Sequence, residues 1–127
     1  MKELKLYVCE RCGNIAGMLH DVGPVPNCCG QEMTLQIANT VDASQEKHVP
    51  VLSEAAADVI SVKVGDVPHP MTEEHHISDI FVVTEHGVQQ KTVTTNPEAF
   101  AAFKFVEDRP LAIYAYCNLH GLWKTEL

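Results

Sequence analysis

The stretch Val59–Glu85, VISVKVGDVPHPMTEEHHISDIFVVTE, decides the fold. Its two ends, VISVKV and HISDIFVVTE, are dense in Val, Ile and Phe, which suit a pleated, half-buried surface. Between them stand Gly65, Pro68 and Pro70, residues that favour turns and interrupt helices. Reading outward, the same alternation of β-rich run and turn continues through QQKTVTT, NPEAFAAFKFVE, DRP and LAIYAYC. Turns recur about every ten residues, the rhythm of an antiparallel sandwich. Only SEAAADV (Ser53–Val59) and NPEAFAAFKF (Asn96–Phe105) are compatible with helices, Asn96 serving the latter as a cap with Pro97 at the first helical position.

The 127 residues can bury one moderate core, or one core and a small appendage. With 46% hydrophobic and 20% charged residues the chain has the composition of a globular protein. No apolar run approaches the roughly 20 residues needed to span a bilayer, and MKELKLYVCE lacks the apolar centre of a secretory signal. These features point to the cytoplasm and away from membranes. Nine Lys+Arg against seventeen Asp+Glu give a net charge of −8, which argues against nucleic acid as a partner. Five cysteines in a reducing compartment read as metal ligands or reactive thiols rather than disulfides, and their odd number resists full pairing.

The N-terminal segment YVCERCGNIAGMLHDVGPVPNCCGQEMTL has few large apolar residues and is punctuated by glycine and proline. It needs a staple, and Cys9, Cys12, Cys28 and Cys29 supply the candidate. Cys-x-x-Cys is the usual first half of a tetrahedral thiolate site; the second half, two adjacent cysteines, is unusual. A disulfide between neighbours would strain the bond, so a closed four-thiolate site is expected, holding zinc as a staple or iron as a one-electron carrier. The polar stretch QIANTVDASQ (Gln36–Gln45) reads as a linker, dividing the chain into domains 1–36 and 37–127.

Seven histidines are many for this length. His48 lies in E-K-H-V-P, His69 in P-H-P-M, His75 and His76 in E-E-H-H-I, and His120 in C-N-L-H with Cys117. C-x-x-H places one sulfur and one imidazole close enough to share an ion. Pro50 and Pro70 push the residues before them towards extended backbone. In a strand His75 and His76 would face opposite ways, so only one is expected at a common metal, and His75 is the choice. Divalent iron among four neutral imidazoles and one thiolate carries one net positive charge, whereas among four thiolates it carries two net negative charges. Only the first arrangement welcomes an anion, and five protein ligands leave one octahedral position open.

Taken together, C-x-x-C…C-C, E-K-H-V-P, H-P-M-x-x-x-H and C-N-x-H-G-x-W resemble the desulfoferrodoxins, the two-iron superoxide reductases, in order and spacing over nearly the whole chain. The resemblance implies an all-β protein with a desulforedoxin-like N-terminal domain and an immunoglobulin-like, neelaredoxin-type sandwich. It implies two irons per chain: one on Cys9, Cys12, Cys28 and Cys29, where zinc is also possible, and a catalytic one on His48, His69, His75 and His120 with Cys117 axial. It further implies one-electron reduction of superoxide to hydrogen peroxide, re-reduction by a donor such as rubredoxin, and a homodimer. Lys47 resembles the lysine that attracts superoxide and organises protonation, and Glu46 the carboxylate that fills the open position at rest. In an extended strand Lys47 would point away from the face of Glu46 and His48, so that loop is expected to bend. The chain departs from the family at Glu74, where a lysine is common, which lessens the local positive field.

His20, His76 and His86 are expected at the surface, Asp21 and Asp42 in solvent, Met33 and Met71 in cores, and Tyr116 and Trp123 packed beside the site. Two other functions fit parts of the pattern. A plain electron carrier would use the four cysteines but not the surplus histidines, and a zinc-stapled binding module would stay colourless under any oxidant.

Overall fold

A computed structural model describes residues 3–40 and 45–127, with the side chains of Gln45 and Glu46 excepted. The chain divides into two compact units, Met1–Ile37 and Ala38–Leu127.

In the first unit, β1 (Leu6–Val8), β2 (Ile15–Gly17) and β5 (Thr34–Leu35) form an antiparallel sheet ordered β2-β1-β5. The pair β3 (Asn27–Cys28) and β4 (Gln31–Glu32) forms a separate hairpin. Tyr7, Cys9 and Met33 are its buried cluster among the described residues, with Ala16, Met18, Val25 and Cys28 packed around them. So little apolar burial cannot by itself offset the entropy of ordering the segment, which is why the cysteines matter to it.

The hairpin also explains the adjacent cysteines. Cys28 pairs with Gln31, so Cys29 and Gly30 are the two loop residues, and both have positive φ, +54° and +76°. That is the dihedral pattern of a type I′ turn, whose twist matches the strands it joins. Gly30 adopts it freely, whereas Cys29 does so against the preference of a side-chain-bearing residue.

The second unit is an all-β, immunoglobulin-like sandwich. After one helical turn, α1 (Gln45–His48), come β6 (Pro50–Ala55), β7 (Val59–Val64), β8 (Ile77–Thr84), β9 (Val88–Thr92), β10 (Phe100–Lys104), β11 (Pro110–Cys117) and β12 (Gly121–Glu126). They form antiparallel sheets ordered β10-β7-β6 and β12-β11-β8-β9. Period-two alternation sends Ile60, Val62 and Val64 of β7, Ile80 and Val82 of β8 and Ile113, Ala115 and Cys117 of β11 into one core. Both seams between the sheets are closed by side chains rather than by backbone ladders. On one, Gln89 Nε2 donates to the Lys104 carbonyl at 2.9 Å and Lys91 Nζ to the Ala102 carbonyl at 2.5 Å; on the other, Thr125 Oγ1 donates to the Pro50 carbonyl at 2.6 Å.

Neither helix-compatible segment is helical. Ser53–Ala55 belongs to β6, and a turn closed by the Ala56 N–H on the Val59 carbonyl, 2.8 Å, returns the chain into β7. Phe100–Lys104 is β10, and Asn96–Pro97 lies in the turn before it rather than capping a helix. Ala101, Phe103 and Phe105 are buried while Phe100 is exposed, so burial follows the period of two and outweighs the alanine content. Within the expected linker, Gln36 is tied to the first unit by its N–H on the Leu6 carbonyl, 2.9 Å, and Asn39 is tied down within the second. Asn39 donates its N–H to the Leu122 carbonyl, its Nδ2 to the Lys124 carbonyl, and accepts the Lys124 N–H on Oδ1, at 2.8–3.1 Å. Asp42 lies outside the described residues.

Candidate functional site

In the first unit the Sγ atoms of Cys9, Cys12, Cys28 and Cys29 all lie within 4.8 Å of one another, and all four thiols are free. Cys12 and Cys28 sulfurs are 3.6 Å apart and those of Cys28 and Cys29 4.0 Å. Four sulfurs about 2.3 Å from one ion stand about 3.8 Å apart, so the set has the size of a tetrahedral metal site. Two tight turns build it. The Cys9–Cys12 loop is closed by the Gly13 N–H on the Cys9 carbonyl at 2.9 Å, and the type I′ hairpin presents Cys28 and Cys29. Cys12 N–H donates to Cys9 Sγ at 3.5 Å and Asn14 Nδ2 to Cys28 Sγ at 3.7 Å. The Cys12 N–H pulls the Cys9 thiol down to about 6, while the crowd of sulfurs, Cys12 first, pushes Cys29 up to about 12 and also raises Cys28. Four thiolates cannot coexist there without a cation.

The second cluster is drawn from distant parts of the sandwich. His48 ends α1, His69 and His75 lie on the crossover from β7 to β8, Cys117 ends β11, and His120 sits in the turn into β12. Donor atoms of His48, His69, His75 and Cys117 lie within 4.8 Å of one another. His120 joins them with Nδ1 2.9 Å from His48 Nε2 and 3.8 Å from Cys117 Sγ.

The four rings form a pinwheel. Successive centroids are 4.7 Å apart for His48–His69, 4.7 Å for His69–His75, 5.0 Å for His75–His120 and 4.7 Å for His120–His48, each pair at 76–88°. The diagonal His48–His75 measures 6.2 Å at 31°. His48 therefore stands opposite His75, and His69 opposite His120. Two nitrogens at right angles, each about 2.1 Å from one ion, would be about 3 Å apart, which matches the His48–His120 contact.

The nitrogens that face inward are selected by what holds the others. His69 Nδ1 is 2.7 Å from the Pro70 carbonyl, which leaves Nε2 for the centre. His69 Nε2 and His75 Nε2 are buried without a hydrogen-bond partner. Buried polar atoms are seldom left unsatisfied, so a cation between these rings fits the donor set. Burial holds the His69 imidazole neutral, down to about 4, against the raising effect of the Pro70 carbonyl. Burial, then the charges of His120, His76 and Lys47, lower His75. Burial raises the Cys117 thiol against the Leu119 and His120 N–H groups. Trp123, fully buried, stacks on His48 at 5.0 Å and 26° and donates Nε1–H to the His120 carbonyl at 3.2 Å.

The Desulfoferrodoxin family profile matches residues 40–126, the whole span that contributes this second cluster. The chain belongs to the desulfoferrodoxin family. A desulfoferrodoxin of Syntrophotalea carbinolica is 43% identical over 125 residues, 98% of each chain. A desulfoferrodoxin homolog of Archaeoglobus fulgidus is 41% identical over 122 residues, 96% of each chain. The crystal structure of the superoxide reductase from Treponema pallidum superposes with a TM-score of 0.82 at 32% identity, covering 98% of this chain and 100% of that one.

In this desulfoferrodoxin-family chain, His75 enters the cluster and His76 does not; the His76 ring turns to the Thr72 carbonyl at 2.9 Å and is half-buried rather than fully at the surface. His20 and His86 are exposed. Met33 is buried in the first unit and Met71 packs against the sandwich core. Lys47 lies in a helical turn rather than a strand, exposed, and its charge reaches His75. Glu74 is exposed, and the side chain of Glu46 lies outside the described residues. The sequence carried no signal for the bond from Asn14 to Cys28, because a lone asparagine after a knuckle has many uses.

Proposed function

We propose that the chain reduces superoxide to hydrogen peroxide, O₂⁻ + e⁻ + 2H⁺ → H₂O₂, at the pinwheel of His48, His69, His75 and His120 with Cys117. The observation that carries this reading is the pair of buried, partnerless Nε2 atoms of His69 and His75 in that ring. The likeness to the superoxide reductase from Treponema pallidum, along almost the whole chain, supports it. Nε2 of His48, His69 and His75, Nδ1 of His120 and Sγ of Cys117 would hold iron, and Cys9, Cys12, Cys28 and Cys29 a second iron or a zinc. Iron held at the pinwheel would supply the one electron that superoxide takes up.

The chain's own groups do the rest. Burial lowers the His69 and His75 imidazoles, so they bring no charge of their own to the site. Burial raises the Cys117 thiol, so its thiolate would form against a cation, and with a divalent one the five donors would leave a net positive charge for the anion. Lys47, exposed at the end of α1, adds a second positive charge beside His75 and counters the −8 of the whole chain. It would also hold a proton near the site that a peroxide product needs, and Glu46, next to it in the chain, would supply the carboxylate for the site at rest. An external one-electron donor of the rubredoxin type completes the cycle, and the protein acts in the cytoplasm as a homodimer.

The test is stoichiometry. Reduced, iron-loaded protein mixed with superoxide is expected to yield one hydrogen peroxide per superoxide consumed, with no dioxygen and with one electron lost per site. Dioxygen release with half a peroxide per superoxide would mean dismutation and would reject the reading.

A further inference from the structure

His75 reaches the cluster from the crossover, two residues before β8 begins. What holds it there is the side chain of Asn118. Its Oδ1 accepts the His76 N–H at 2.9 Å, and its Nδ2 donates to the Glu74 carbonyl at 2.9 Å. The Asn118 N–H donates to the His76 carbonyl at 3.1 Å. The first two bonds take the backbone groups on either side of His75, groups that a neighbouring strand would otherwise satisfy. The β11–β8 ladder ends at Cys117↔Ile77, after a register shift at Tyr116/Cys117, and the carboxamide continues it by one more step. Asn118 follows Cys117 directly and precedes His120 by two residues. One side chain therefore ties the His75 segment to the turn that carries the sulfur and the fourth imidazole.

We propose that Asn118 is a positioning residue of the five-donor centre, its carboxamide fixing the His75 imidazole relative to Cys117 Sγ and thereby setting the affinity of the site for a divalent cation. This rests on reading the five donors as a metal centre. Asn118→Asp keeps an acceptor for the His76 N–H but sets an oxygen against the Glu74 carbonyl; Asn118→Ala removes both bonds. Val106, 79% exposed between β10 and β11, provides the control substitution.

Metal-free full chain is titrated with Co²⁺, following heat and visible spectrum, with the four-thiolate site of the first unit as internal reference. Each Asn118 variant is expected to weaken Co²⁺ at the five-donor site about 10–100-fold, the usual cost of losing a group that orients a ligand, while the tetrahedral thiolate bands stay unchanged. Val106→Ala is expected to change neither. In a His75→Ala background, Asn118→Ala should cost nothing further, because the group it positions is gone. Unchanged Co²⁺ affinity, or an equal added loss without His75, overturns the positioning role. Wild-type chain that takes up Co²⁺ only at the four thiolates overturns the metal-centre reading itself, and the proposal with it. Should the variants not fold, hydrogen exchange of the wild-type His76 amide decides: protection is expected, and exchange as fast as a free loop amide overturns it.

Discussion

The two cysteine-bearing sites of this chain are built in opposite ways. Cys9, Cys12, Cys28 and Cys29 come from two short turns within one small unit, and Cys12 and Cys29 stay exposed. The five donors of the sandwich come from α1, a crossover and the β11–β12 turn; two that touch, His48 and His120, are 72 residues apart, and Cys117 is fully buried. In the first site a cation would supply what the fold lacks, since Leu6, Tyr7, Cys9 and Met33 are the buried apolar residues of that unit among those described. In the second the fold supplies what a cation would need, because two hydrophobic sheets carry the segments that hold the rings. A ligand set built from turns is cheap in sequence but leaves the unit dependent on metal. One built on a sandwich asks for a whole domain and leaves the domain independent.

Metal removal tests that contrast most severely. Stripping the chain of metal should unfold the first unit and leave the second folded, seen as collapse of amide dispersion for residues of Met1–Ile37 alone in an NMR spectrum. Structural thiolate sites contribute on the order of 10 kcal/mol to the domains they staple, far more than the few buried side chains of this unit can replace. A metal-free first unit with protected amides would erase the distinction.

Cys117→Ser comes next. It should abolish the reaction with superoxide, because a neutral hydroxyl cannot replace the thiolate, while costing the metal-free sandwich only about 1–2 kcal/mol in urea unfolding. Loss of the fold instead would place Cys117 with the cysteines of the first unit, as a staple.

Acid should act on the sandwich through its imidazoles. Burial lowers His69 to about 4 from 6.5 and lowers His75 in the same direction. The unfolded chain then takes up protons before the folded one as pH falls. Stability of the metal-free sandwich is therefore full above about pH 6.5 and declines towards pH 4, by about 3 kcal/mol from His69. Urea midpoints across that window check it, and a flat profile would mean that the rings are hydrated rather than held.

The smallest effect belongs to Lys47→Ala. It should slow the second-order encounter with superoxide by a few-fold and flatten its dependence on ionic strength, leaving metal content and stability unchanged. An unchanged rate and salt profile would show that the centre attracts the anion unaided.

Much of this was legible in the amino-acid order. The C-x-x-C and C-C pairs, the His-Pro contexts and C-N-L-H point to the side chains that the fold gathers into two clusters able to hold a metal, because metal chemistry demands particular residue types and short turns set their spacing. The alternation in VISVKV and HISDIFVVTE placed a sandwich. Local reading failed at SEAAADV and NPEAFAAFKF, where alanine suggested helix and pairing across the sheet prevailed. The bend expected around Lys47 is present, because α1 supplies one helical turn there.

The sequence by itself determined which side chains can bind metal and that the chain is built of strands, because residue chemistry and period-two burial are local properties. Only the tertiary structure decided that His48 stands across from His75 and His69 across from His120, which nitrogen of each ring faces inward, and that Asn118 holds the His75 segment. Those relations join residues that are distant in the chain, and packing of the two sheets is what brings them within reach.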